Sequence, residues 1–291
     1  MVLSPGLTAA PFLSLGQVTS HEGDISFARF KELRNHFFSK KEGDLQVSIE
    51  PLKDFKADVK AWQETAEKTV EFCEKEIWQD LQSEKTCAMF DSFEEWHRMF
   101  KLAPKSFLFC AKKDSRTLRL LQDREKLFDC ARICQGMYNS VSQEADEKKA
   151  LIHEPKRAIV VRDRDNKVQA LATFSFAQAP SDYCILTHIV SAPQNIKTDV
   201  IKNEKSVRGA GRAALVRAIF MTVEKYLTSE KIPDIFLHVD EAFIPSIGFY
   251  ISCGMHGMGR GFAFTPKEAK EFLENEKLDP VSCLDQKSKP V

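Results

Sequence analysis

No apolar run in the 291 residues approaches the length needed to cross a bilayer. Charge of one sign is not in excess either: Lys+Arg and Asp+Glu both number 42. A chain with no net charge exerts no global pull on nucleic acid or on an anionic membrane, so a polyanionic partner would need a local patch. The opening stretch, MVLSPGLTAAPFLSLGQ, lacks a basic leader and is broken by Pro5, Gly6 and Pro11, which argues for a loose terminus over a cleaved signal. Eight cysteines are present but no two stand as C-x-x-C. Cys130 and Cys134, one helical turn apart on an apolar stripe, read as small buried hydrophobes more readily than as metal or redox ligands. That usage suits a reducing cytosol, and a cytoplasmic location is the expectation; export by a non-classical route stays open.

What is present is ordinary for a globular protein: 43% hydrophobic and 29% charged residues, enough chain for one or two domains. Residues 1–45 carry little periodicity. From Leu52 the apolar positions 52, 55, 59, 62, 66, 70, 73, 77 and 81 alternate by threes and fours, the mark of one long amphipathic helix. Ser92 and Glu95 have capping-box spacing ahead of a second helix that buries Phe93, Trp96 and Phe100. Trp62, Trp78 and Trp96 fall on apolar faces and read as core.

Beyond Pro104 the character changes. Residues 105–111 read as a short strand and 116–142 as a helix. Two β-branched runs within 157–177 flank Asp165-Asn166, a hairpin signal. Strands are expected over 182–192, 234–240 and 261–264, and helices from 210, over 245–255 and from Pro266, where Thr265 and Glu268 form another capping box. The fold class expected is α+β: a mixed central sheet flanked by helices (104–278), an all-helical N-terminal region (1–103) and a loose tail (279–291).

The stretch EKSVRGAGRAALVRAIF, 204–220, sets Arg208, Gly209 and Gly211 just ahead of an amphipathic helix. Three readings compete. The glycines can simply allow a tight entry into the helix. They can form a dinucleotide fingerprint, with Asp240 as the ribose acid, but the polar residues 203–208 do not make the buried strand that fingerprint requires. A Walker loop fails because no Lys-Ser or Lys-Thr follows Gly211. The third reading is an anion site: backbone N–H groups at a helix start, small residues that let a diphosphate approach, and the charge of Arg208.

Arg208-Gly209-Ala210-Gly211-Arg212-Ala213 resembles the R/Q-x-x-G-x-G/A signature of the GNAT superfamily of N-acetyltransferases. Phe249-Tyr250-Ile251-Ser252-Cys253-Gly254-Met255 is similar to that family's F-Y-x-x-x-G-F segment, with Met255 in place of the usual Phe. The element order from 104 to about 264 also resembles the family's. The resemblance implies a GNAT-like sheet and transfer of an acetyl group from acetyl-CoA to an amine by direct attack, without a metal. It implies that residues 208–213 hold the pyrophosphate. It also implies that the pantetheine arm pairs with the fourth strand, 183–191, where Ile189 and Ser191 would bind the cofactor, at the point where strands four and five splay apart. Tyr250 would protonate the departing thiolate.

The strand-four glutamate of many relatives is missing, which leaves His188 as the titratable side chain there and a candidate base; strand alternation sets it and Thr187 on opposite faces. His238, Asp240 and Glu241 are alternatives acting through water, and Phe243 stands where many relatives have a cofactor-contacting asparagine. The loop 194–207 is long, either a lid, a part of the acceptor site or a solvated insertion. The acceptor amine, small molecule or protein, is not specified by the sequence. The competing reading is a GNAT-fold module that binds CoA or nothing and acts through its helices.

Overall fold

The computed structural model describes residues 30, 32–33, 45–83, 92–102, 116–146, 157–177, 183–199, 206–226, 234–239 and 244–278. Among them is a mixed α+β architecture: seven strands in one open, mostly antiparallel sheet, with six α-helices. The strands are β1 (Gln46–Pro51), β2 (Arg157–Arg162), β3 (Val168–Phe176), β4 (Cys184–Ser191), β5 (Leu237–Val239), β6 (His256–Met258) and β7 (Gly261–Phe264). They lie in the order β1-β2-β3-β4-β5-β7-β6, and the β4–β5 pairing is the parallel one. The helices are α1 (Lys56–Ser83), α2 (Phe93–Leu102), α3 (Arg116–Asp146), α4 (Ala210–Tyr226), α5 (Ile244–Ser252) and α6 (Pro266–Leu278).

The N-terminal region is not all-helical. Gln46–Pro51 is an edge strand, paired antiparallel with β2 from Gln46↔Arg162 to Pro51↔Arg157. Its alternation is short, and its partner lies more than a hundred residues downstream, so local periodicity had no means of revealing it. Arg162 clamps Glu50 across the pair, with Nη1 at 2.5 Å from Oε1 and Nη2 at 2.9 Å from Oε2. This ion pair holds the Glu50 carboxyl below its usual range.

The two sheet faces bury different helices. On one, Ile159, Val161, Ala170, Ala172, Cys184 and Leu186 pack against α4 and α6, together with Phe30, whose ring stacks on Phe236 at 4.9 Å. On the other, Ala158, Val160, Leu171, Val190 and Ala192 meet Leu52, Phe55, Val59 and Trp62 of the α1 segment and Cys130, Cys134 and Met137 of α3. A third cluster joins α1, α2 and α3 through Ile77, Trp78, Trp96, Phe100 and Leu120. The three tryptophans are core residues as read from the sequence, and the five cysteines among the described residues are all buried.

Local signals held where they were strong. The β2–β3 turn is closed by Asp163, whose Oδ1 accepts the N–H groups of Asp165 and Lys167 (both 2.9 Å), with Asn166 at φ 62°. Ser92 caps its helix, its Oγ accepting Glu95 N–H (3.2 Å), and the second box is complete: Thr265 Oγ1 accepts Glu268 N–H (3.3 Å) while Glu268 accepts Thr265 N–H (2.8 Å). Strand β6 is an addition to the expected elements. The expected strand 105–111 and the tail from 279 lie outside the described residues.

Candidate functional site

The site begins on β4. Its first residues pair in parallel with β5, from Cys184↔Leu237 to Leu186↔Val239, the last described residue of β5. β4 runs on to Ser191, and Ile189–Ser191 line a groove. Between these two stretches β4 carries a bulge. Thr173 pairs with His188 and Phe174 with Leu186, so Thr187 is an extra residue. The bulge swaps the faces: Cys184 and Leu186 point to the α4 side, Val190 to the α3 side, and Ile189 packs with the α4 cluster.

This bulge corrects the expectation that Thr187 and His188 lie on opposite faces. Both reach Thr173 Oγ1 at 2.9 Å, through Thr187 Oγ1 and His188 Nδ1. A methyl group at Gly136 of α3 would sit 3.0 Å from His188 Nε2, so glycine there makes room for the imidazole. His188 is therefore held between β3 and α3.

A groove of about 500 Å³ opens beside the end of β4. One wall is Ile189–Ser191 and the turn 207–212; another is Ser246, Phe249 and Tyr250 of α5; the third is Lys126, Asp129, Cys130 and Ile133 of α3, with Asn195–Lys197 at the rim. Of the residues singled out in the sequence, Ile189, Ser191, Arg208, Gly209, Ala210, Gly211, Arg212 and Tyr250 all line it. Ala213 lies one residue further into the helix and His188 on the α3 side of β4; neither is part of the lining. His238 sits in β5 opposite Ile185 and Ala263, and residues 240–243 lie outside the described residues.

The glycine turn has the geometry of an anion cradle. Gly209 takes φ 83°, a conformation costly to any side-chain-bearing residue, and its carbonyl accepts the first helical bond from Ala213 N–H at 2.9 Å. The N–H groups of Ala210 and Gly211 precede that bond and have no intrahelical acceptor. A Cβ at Gly211 would point between Phe249 (3.4 Å) and Ser191 (3.9 Å), so its absence keeps the approach open. Among the described residues, Lys126, Lys197, Arg208 and Arg212 line the groove against one carboxylate, Asp129, which favours an anionic occupant.

Tyr250 is 2% exposed, its ring stacked on Phe262 at 5.3 Å and edge-on to Phe249 at 5.2 Å. Burial pushes its phenol above the usual value, with Cys253 adding to the effect, so it stays protonated through neutral pH. The helix that carries it ends as read: Gly254 at φ 83° closes it, and Met255 N–H reaches back to Tyr250 O at 3.1 Å.

The α3 wall of the groove escaped the sequence reading. Lys126, Asp129, Cys130 and Ile133 have helical-face spacing, a signal available in the sequence, but nothing in the sequence shows which object that face meets. Asp129 is pushed up to about 6, first by burial; Arg132 opposes the shift, Glu125 adds to it and Arg124 opposes it. A carboxyl raised by folding binds its proton more tightly in the native state, so its penalty is present above pH 6 and relieved as pH falls toward 4. We expect Asp129→Asn to raise the thermal midpoint at pH 7.5 and the gain to vanish by about pH 4.5. Thermal melts across that range check it; a gain that does not depend on pH would mean the charge is already solvated.

Among the described residues, no group of three His, Cys, Asp or Glu side chains is placed to hold a metal, and no helix is long and apolar enough to cross a membrane. A scan of known protein families finds no matching model, and a search of curated proteins finds no match.

Proposed function

We propose that the groove binds acetyl-CoA and that the protein transfers the acetyl group to an amine, in the manner of the GNAT superfamily. One observation carries the reading: the end of β4 at Ile189–Ser191, the glycine turn and Tyr250 converge on a single groove. The backbone of Ile189–Ser191 offers its groups to the amides of a pantetheine arm. The N–H groups of Ala210 and Gly211 at the start of α4 face its diphosphate, with Arg208 and Lys197 as counter-charges. Tyr250, kept protonated by burial, donates the proton that the departing thiolate needs, while the amine attacks the thioester carbonyl.

Calorimetric titration with acetyl-CoA tests the cofactor: saturable one-to-one binding is expected, and its absence removes the assignment. Tyr250→Phe then probes the chemistry. It should lower turnover by about 10²-fold or more with CoA affinity nearly unchanged, as loss of a general acid does. A joint fall in both would make the tyrosine a packing residue.

One observation favours a second reading, a module that binds CoA without turnover. His188, the strand-four candidate base, is tied to Thr173 and covered by α3. Under that reading acetyl-CoA binds and no amine in a broad panel is acetylated.

A further inference from the structure

Between the bulged strand and the glycine turn, the described residues on either side of 200–205 meet through one side chain. Asn195 Oδ1 accepts the N–H of Val207 at 2.7 Å. Asn195 Nδ2 donates to the backbone carbonyl of Gln169 (3.2 Å) and to its side-chain Oε1 (2.8 Å). Gln169, 3% exposed, donates from Nε2 to Asp163 Oδ2 at 2.5 Å, and Asp163 closes the β2–β3 turn with its other oxygen. The orientation of every amide in this chain is forced. Val207 N–H can only donate and a carboxylate can only accept, so Asn195 must turn its oxygen to Val207 and Gln169 its nitrogen to Asp163. The chain thus runs from a rigid hairpin turn to the residue just before Arg208 and Gly209.

A second anchor fixes the loop to α3. Asp123, fully buried, accepts the N–H of Asp199 on both carboxylate oxygens at 2.9 Å, and Lys126 Nζ donates to the carbonyl of Lys197 at 3.0 Å. This anchor holds the 197–199 end of the loop. At the 207 end Asn195 holds the N–H of Val207, and Asn195 itself lines the groove.

We propose that Asn195 is a positioning residue for the diphosphate part of the cofactor: it fixes Val207, and through it the path by which the chain enters the Arg208–Gly211 turn. The inference rests on the acetyl-CoA reading. Gly209, with its freedom of φ, cannot hold that entry by itself, because glycine accepts many conformations at similar energy. Without the Asn195 clamp the N–H groups of Ala210 and Gly211 remain at the helix start, but Val207, the residue that leads into Arg208 and Gly209, loses the bond that fixes it. The cost falls on the anion and not on the pantetheine arm, which lies along β4.

The experiment measures binding of CoA and of pantetheine, which lacks the diphosphate, to the full chain and to two variants. Asn195→Ala should weaken CoA about tenfold, equivalent to about 1.4 kcal/mol, with pantetheine affinity unchanged. Gln169→Met, which removes the side-chain acceptor of Asn195 outside the groove and leaves the backbone carbonyl, should weaken CoA by a smaller factor. The double variant should be no worse than Asn195→Ala, as expected for residues acting in one chain. Equal losses for CoA and pantetheine, or no loss for CoA, would overturn the role of Asn195 while leaving the groove assignment standing. Absence of CoA binding by the unaltered protein would overturn both. Thermal melts of each variant identify any that fails to fold, and Gln169→Met then carries the comparison.

Discussion

Gly211→Glu is expected to lower affinity for acetyl-CoA by at least about a hundredfold, equivalent to about 2.7 kcal/mol, with little change in folding stability. The reason is positional. Gly211 is the second residue of α4, and a side chain there enters the groove between Phe249 and Ser191. A glutamate carboxylate at a helix start interacts favourably with the same free N–H groups that a diphosphate would use. The variant therefore supplies its own anion and occupies the cradle, while the helix gains as much as it loses. Gly211→Ala separates charge from bulk. Its methyl meets Phe249 Cζ at 3.4 Å, ordinary contact at its tight limit, so only a few-fold loss is expected. Calorimetry on the three proteins, paired with thermal melts, reads the result. An affinity untouched by the glutamate would place the cofactor elsewhere or nowhere, and the transferase reading would go with it.

The reach of the sequence can be judged from particular residues. Signals confined to a few neighbouring positions were read correctly: the Thr265–Glu268 box, the Asp165-Asn166 turn and the Gly254 helix end. Each is fixed by local backbone chemistry, which a short window contains. The strand Gln46–Pro51 was not legible, because what makes it a strand is the edge of β2, over a hundred residues away. The bulge at Thr187 was also invisible; it depends on how β3 and β4 register, and it changes the face of every side chain after it. That is why the turn residues and Tyr250 assembled in one groove while His188 went to the α3 side. Asn195 fell between the two cases. Its residue type suits a loop, and only the fold reveals that it spans from Gln169 to Val207.

The largest effect on stability is expected at Glu74, in the helical layer that backs the groove's α3 wall. Its carboxylate is 3% exposed and takes three donors: Arg124 Nε at 3.0 Å and Nη2 at 2.8 Å on Oε1, and His97 Nε2 at 2.7 Å on Oε2. Arg124 is itself buried between the rings of Phe100 (5.0 Å) and Phe128 (4.8 Å), with Glu125 as its other partner. Glu74→Ala strands this guanidinium in an apolar slot with half its partners gone. Removing one member of a buried ion pair costs about 3–5 kcal/mol, since the remaining charge keeps its desolvation penalty and loses its compensation. In a protein of this size such a loss lowers the thermal midpoint by roughly 5–15 °C. Glu74→Ala with Arg124→Met should recover much of it, because the double change removes the stranded charge and leaves an apolar side chain between two phenylalanines. Arg116, 45% exposed and paired with Glu76 and Asp80, provides the contrast: Arg116→Ala should cost no more than about 1 kcal/mol. Urea denaturation of the three variants ranks these effects. A Glu74→Ala loss as small as that of Arg116→Ala would mean that water reaches Arg124 from the neighbouring groove lined by Lys75, His97 and Lys101, and that the α1–α2–α3 layer is held by its aromatic cluster alone.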